Sequence, residues 1–218
     1  MFKSTHLVHF TAQAGREARD AVEATLRGIE GCRLVQPTLP GVYNGGHLMA
    51  HFQFEDEAHW RARQTQLEAV LGSPDVGHVD SAAYEGGVGG VREPGLEGGV
   101  YRALFFCVNR PVDTRTLEQF EAEMRRMPHY IPAICNWQLS RVAHASGARG
   151  WTHVWEQEFA NIGGLAGEYM LHPYHWARID RWFDPECTQW MIDTTLCHSF
   201  CALERSILSP AKGRHSPT

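Results

Sequence analysis

Two kinds of hydrophobic spacing recur along the chain, in the same order, twice. Strand-like apolar stretches occupy residues 5–10 (Thr5-His6-Leu7-Val8-His9-Phe10) and 100–108. Each is followed by apolar residues spaced three and four apart, the period of an amphipathic helix. They are Ala18, Val22, Leu26 and Ile29 within 16–29, and Leu117, Phe120, Met124 and Met127 within 114–127. A second strand is predicted at 32–36 and at 135–141. A third is predicted at 47–54 and at 151–159, where apolar and polar residues alternate with the period of two of a half-buried strand. Helices near 56–71 and 163–171 and last strands at 79–84 and 192–202 complete the two sets.

The order is therefore βαββαβ, twice, which is that of a ferredoxin-like domain. Between the copies, residues 85–99 hold seven glycines in fifteen positions and no helical or strand-like apolar period, which reads as a linker. The expected organisation is an N-terminal domain over 1–84, a glycine-rich linker over 85–99, a C-terminal domain over 100–208 and a flexible tail over 209–218. A four-stranded sheet with helices on one face leaves its other face bare. Packing two such sheets face to face buries both. The fold class expected is α+β, an intramolecular pseudo-dimeric α+β barrel, enclosing either a packed core or a pocket.

Composition narrows the function. The 218 residues are 43% hydrophobic and 21% charged, with a net charge of −5. That balance suits a globular chain and gives no basic footprint for nucleic acid. No apolar run approaches the length of a membrane span, and the first residues show no secretory h-region, so a cytoplasmic protein is expected. The six cysteines form no CxxC pair and read as small buried hydrophobes. Thirteen histidines are dispersed rather than clustered; His47 and His51, or Cys197, His198 and Cys201, lack a full metal-ligand pattern, and no metal is expected. Dinucleotide, phosphate-loop, nucleophile-elbow and HExxH motifs are absent.

The second copy carries the segment Gly150-Trp151-Thr152-His153, a strand ending at Phe159, and then Tyr169 followed by His172-Pro173-Tyr174-His175. This arrangement resembles the stress-responsive α/β-barrel family, the dimeric α+β barrel called Dabb. Within that family it is similar to plant polyketide cyclases, which share the six-residue spacing from tyrosine to the second histidine of HPxH. The first copy has Ser73-Pro74-Asp75-Val76 at that place and matches in element order alone. The first-strand histidine of those cyclases is matched by Arg102 here, while His6 holds the position in the first copy. Some family members are known as stress proteins rather than enzymes.

The resemblance implies a site in the C-terminal half. His175 would act as general base and acid and Tyr169 would stabilise an oxyanion, chemistry that needs no redox cofactor. His153, Arg102, His172 and Trp176 would contact the substrate, a small carbonyl or aromatic compound. The residues also permit blander roles. His172 can cap backbone groups, His153 can pack across strands, and Arg102 can pair with Glu156 or Glu158. The rival reading is a non-catalytic stress or ligand-binding barrel, and a haem or monooxygenase role has no axial-ligand signature. No membrane or nucleic-acid partner is expected, and an internal pseudo-dimer leaves its outer surfaces for homo-oligomer contacts.

Overall fold

The computed structural model describes residues 1–109 and 111–208. The first copy folds as β1 (Phe2–Phe10), α1 (Arg16–Arg27), β2 (Cys32–Pro37), β3 (Leu48–Phe54), α2 (Glu57–Leu71) and β4 (Val76–Glu85). Its strands are antiparallel in the order β2-β3-β1-β4. Val22 and Leu26 on α1 and Trp60 and Leu67 on α2 are buried, as the helical period requires. Asp56 caps α2 by accepting from the His59 amide at 2.9 Å.

The second copy uses β6 (Glu97–Phe106), α3 (Thr114–Tyr130), β7 (Ile134–Arg141), β9 (His153–Phe159) and β10 (Cys197–Arg205), in the order β10-β6-β9-β7. The fold is two ferredoxin-like units forming an α+β barrel, as the order of apolar segments implies. The expected helix over 163–171 is a pair of π-helical turns, Gly164–Tyr169 and His175–Ile179. The last strand begins at Cys197; Ile192 makes only an isolated bridge to Val108. The tail over 209–218 lies outside the described residues. No helix among the described residues is long and apolar enough to cross a membrane.

The glycine-rich segment differs from expectation. It joins the two sheets, but Val88–Val91 within it is a strand, β5, antiparallel to β7 at the edge of the second sheet. A short strand β8 (His144–Ser146) correspondingly leaves the second copy and extends the first sheet beside β4. Glycine dominates β5 because the neighbouring strand is too close for side chains. A Cβ on Gly87 would lie 2.1 Å from the Leu139 carbonyl oxygen, and one on Gly90 would lie 2.7 Å from the Trp137 indole nitrogen. Gly87→Ala is therefore expected to cost about 1–3 kcal/mol by overpacking. Urea unfolding checks this; a cost near zero would mean that the strand simply moves away.

The space between the sheets is a packed core. Leu7, Met49 and Tyr84 from one sheet meet Tyr101, Phe105 and Val154 from the other. A buried polar network crosses the same interface. Lys3 reaches Glu156 at 3.1 Å and also bonds Gln138. Glu156 accepts from the Tyr101 hydroxyl at 2.9 Å. Thr5 Oγ1 joins His51 Nδ1 at 2.8 Å and the Tyr84 hydroxyl at 2.9 Å. The loop after β2 closes the barrel by exchanging backbone hydrogen bonds with β10, Tyr43 with His198 at 2.8 and 2.9 Å. Open space lies instead between each sheet and its helices.

Candidate functional site

Strand alternation sends Arg102 and Leu104 of β6 away from the other sheet and toward the helices. Gln157 of β9 lies in register beside Arg102, and His198 of β10 sits in register with Leu104. The π-helical turns form the opposite wall. They are separated at Pro173, which lacks the amide proton that a continuing helix would need. His172 Nδ1 accepts from the Tyr174 amide at 3.1 Å across this break. The break aims Tyr169 and His175 into one cavity of about 190 Å³, whose wall also includes Met124 and Phe183.

Tyr169 and His175 are 1% and 8% exposed. Their rings meet edge to face with centroids 4.7 Å apart. Arg102 Nη1 approaches the Tyr169 hydroxyl at 3.4 Å, with the guanidinium 5.1 Å from the ring centre. Burial pushes the Tyr169 hydroxyl above the usual tyrosine range while Arg102 pulls it back. The group thus remains a protonated donor at neutral pH. His175 Nδ1 lies 3.3 Å from Asp180 Oδ1, within electrostatic reach but not aligned as a hydrogen bond. His198 Nε2 accepts from Arg102 Nε at 2.6 Å. Burial, then Arg102, then His175 push the His198 pKa down to about 2, so its imidazole is neutral.

Of the residues singled out from the sequence, Tyr169, His175 and Arg102 converge. Arg102 bonds neither Glu156 nor Glu158, because those carboxylates point to the other face of β9. Three positions differ from the expected substrate contacts. Trp176 is 58% exposed and does not line the cavity, since it follows His175 on the turn and points outward. His172 serves the backbone cap. His153 stacks on Phe106 with centroids 5.0 Å apart and bonds Thr152 at 2.8 Å and Glu121 at 3.1 Å, on the far side of the sheet's core. Sequence reasoning missed His198, Gln157 and Asp180. Strand parity was the available signal, since positions 198 and 200 share the helix-facing side with Arg102. Among the described residues no cluster of His, Cys, Asp and Glu is arranged to hold a metal ion.

In the first copy, the place of Arg102 on its strand is held by His6. Its Nδ1 pairs with Ser81 at 2.8 Å and Nε2 with Ser4 at 3.1 Å. A separate cavity of about 340 Å³ lies there beneath α2, with Trp60, Leu67 and Ala82 in its wall. It holds no tyrosine–histidine pair. Burial lowers the His6 pKa to about 4. The unfolded imidazole titrates near 6.5, so the full contribution of His6 is present above that pH. Between about pH 6.5 and 4 the unfolded chain binds a proton that the folded chain refuses, and stability falls as pH falls. At pH 5 the loss is about 2 kcal/mol. Urea midpoints at pH 7 and pH 5 should therefore fall less for His6→Asn than for the parent protein; an equal fall would contradict this.

Comparison with known proteins agrees with this architecture. Residues 100–194 match the stress responsive A/B barrel domain, Dabb. Among solved structures, an anthrone oxidase-like protein superposes with a TM-score of 0.65 at 10% identity, over 93% of this chain and 90% of its own. A provisionally assigned monooxygenase from Fusobacterium nucleatum gives 0.59 at 9% identity, over 96% and 95%. A chlorite dismutase variant from Candidatus Nitrospira defluvii gives 0.51 at 11% identity, over 92% and 90%. At these identities the likeness is one of fold. No curated protein sequence matches the chain.

Proposed function

We propose that this protein is a cofactor-independent acid–base enzyme of the cyclase, lyase or isomerase type. Its substrate would be a small apolar or aromatic carbonyl compound. The observation that carries the reading is that Tyr169 and His175 wall one cavity with rings 4.7 Å apart. His175 takes a proton from the carbon beside the carbonyl, and the electron pair moves onto the carbonyl oxygen. Tyr169 donates a hydrogen bond to that oxygen as its charge develops. The proton returns from His175 to carbon or to a departing oxygen, which completes isomerisation, aldol closure or cleavage.

The rival is a non-catalytic ligand-binding barrel, which the same cavity would also serve. Proton–deuterium exchange at the α-carbon of aryl ketones such as acetophenone and butyrophenone, followed by NMR in heavy water, separates the two. Exchange faster than in protein-free buffer supports the enzyme. Exchange at the buffer rate with every ketone, from a protein that still binds them, supports the rival.

A further inference from the structure

Arg102 carries a positive charge that no carboxylate among the described residues pairs with. It is 3% exposed, and its described partners are the neutral His198 imidazole, the Gln157 amide oxygen and the Tyr169 hydroxyl. Among the described residues no carboxylate forms an ion pair with it, and Nη2 has no hydrogen-bond partner. Gln157 Nε2, beside it, is buried and also unpartnered. Burying a charge without a counter-charge is costly, and native proteins pair such groups. This chain does so elsewhere: Lys3 with Glu156, Arg181 with Glu123, Arg141 with Glu121. The fold does not demand a guanidinium at this strand position either, because the first copy fills it with His6 and satisfies both ring nitrogens with serines. Arg102 lines the cavity that Tyr169 and His175 share.

We infer that the cavity's ligand is an anion whose carboxylate docks on Arg102. The substrate class is thereby narrowed to a carbonyl compound bearing a carboxylate. A planar carboxylate can accept two parallel hydrogen bonds from a guanidinium edge, and the free Nη2 supplies one of them. Asp180, an acidic residue in the cavity wall, stands beside His175 and forms no ion pair with Arg102. The inference rests on the cavity assigned above but on no proton transfer.

The test is calorimetric titration of the full chain with 3-benzoylpropionate and with its neutral amide. The carboxylate is expected to bind at least tenfold more tightly. Arg102→Gln should abolish that preference while amide binding persists. The comparison in the parent protein decides the matter even if the variant fails to fold. Equal affinities, or no binding of either compound, overturn the inference. The two proposals fail separately. Preferred carboxylate binding without catalysed α-exchange retains the anion site and removes the enzyme. Exchange on neutral ketones with no carboxylate preference does the reverse.

Discussion

Glu156→Ala is expected to destabilise the protein by about 3–5 kcal/mol, because it strands a buried ammonium. Lys3 and Glu156 are 4% and 0% exposed in their side chains and lie on different sheets, 3.1 Å apart. Removing the carboxylate leaves Lys3 with Gln138 as its remaining partner, in a layer otherwise filled by Leu7, Tyr84, Tyr101 and Phe105. The Tyr101 hydroxyl loses its shorter hydrogen bond in the same step, keeping the 3.4 Å contact with His51 Nδ1. The pair itself contributes much less than its rupture costs, since both ions were taken out of water to form it. Lys3→Met combined with Glu156→Gln should therefore recover most of the loss, as the amide can still accept from Tyr101. Urea unfolding of the single and double variants checks both statements. A single-variant cost below about 1 kcal/mol would mean that water reaches Lys3 between the sheets.

The sequence reveals those parts of the fold that periodicity controls. Ala18, Val22 and Leu26 mark α1 through its one buried face, and residues 47–54 mark β3, although that strand is buried on both faces rather than on one. The glycine-rich edge strand is hidden for the opposite reason. β5 is held by backbone pairing to β7 with no room for a Cβ at Gly89 and Gly90, and its two valines are exposed, so it has no apolar pattern to detect. The site shows the same division. Local spacing around Pro173 brings Tyr169 and His175 together, and both were legible. The partners of Arg102 depend on which strands pair and in what register, so Gln157 and His198 emerge only from the sheet. Adjacent residues can also diverge: Trp176 follows His175 yet faces solvent, because one step along a helical turn changes the face. The first copy matters to the site although it lacks its motif, since Tyr43 clamps the backbone of His198.

His175→Ala is expected to lower catalysed α-exchange by 10²–10⁴-fold, the usual contribution of a positioned general base. Tyr169→Phe should lower it by about 10²–10³-fold, the scale of losing one oxyanion donor. The tyrosine variant is the cleaner probe. Its ring keeps the packing on Phe159, with centroids 5.6 Å apart, and on His175, while only the hydroxyl disappears. That hydroxyl accepts a long hydrogen bond from Arg102 and also lies beside the Trp155 indole, so the variant gives up these polar contacts but no packing. A loss in rate with an unchanged melting temperature then assigns the hydroxyl to the reaction. Because base and donor act on one developing enolate, the double variant should be little slower than His175→Ala alone. Losses that multiply would instead mean that the two groups contribute to the rate independently, and would contradict their acting on one enolate.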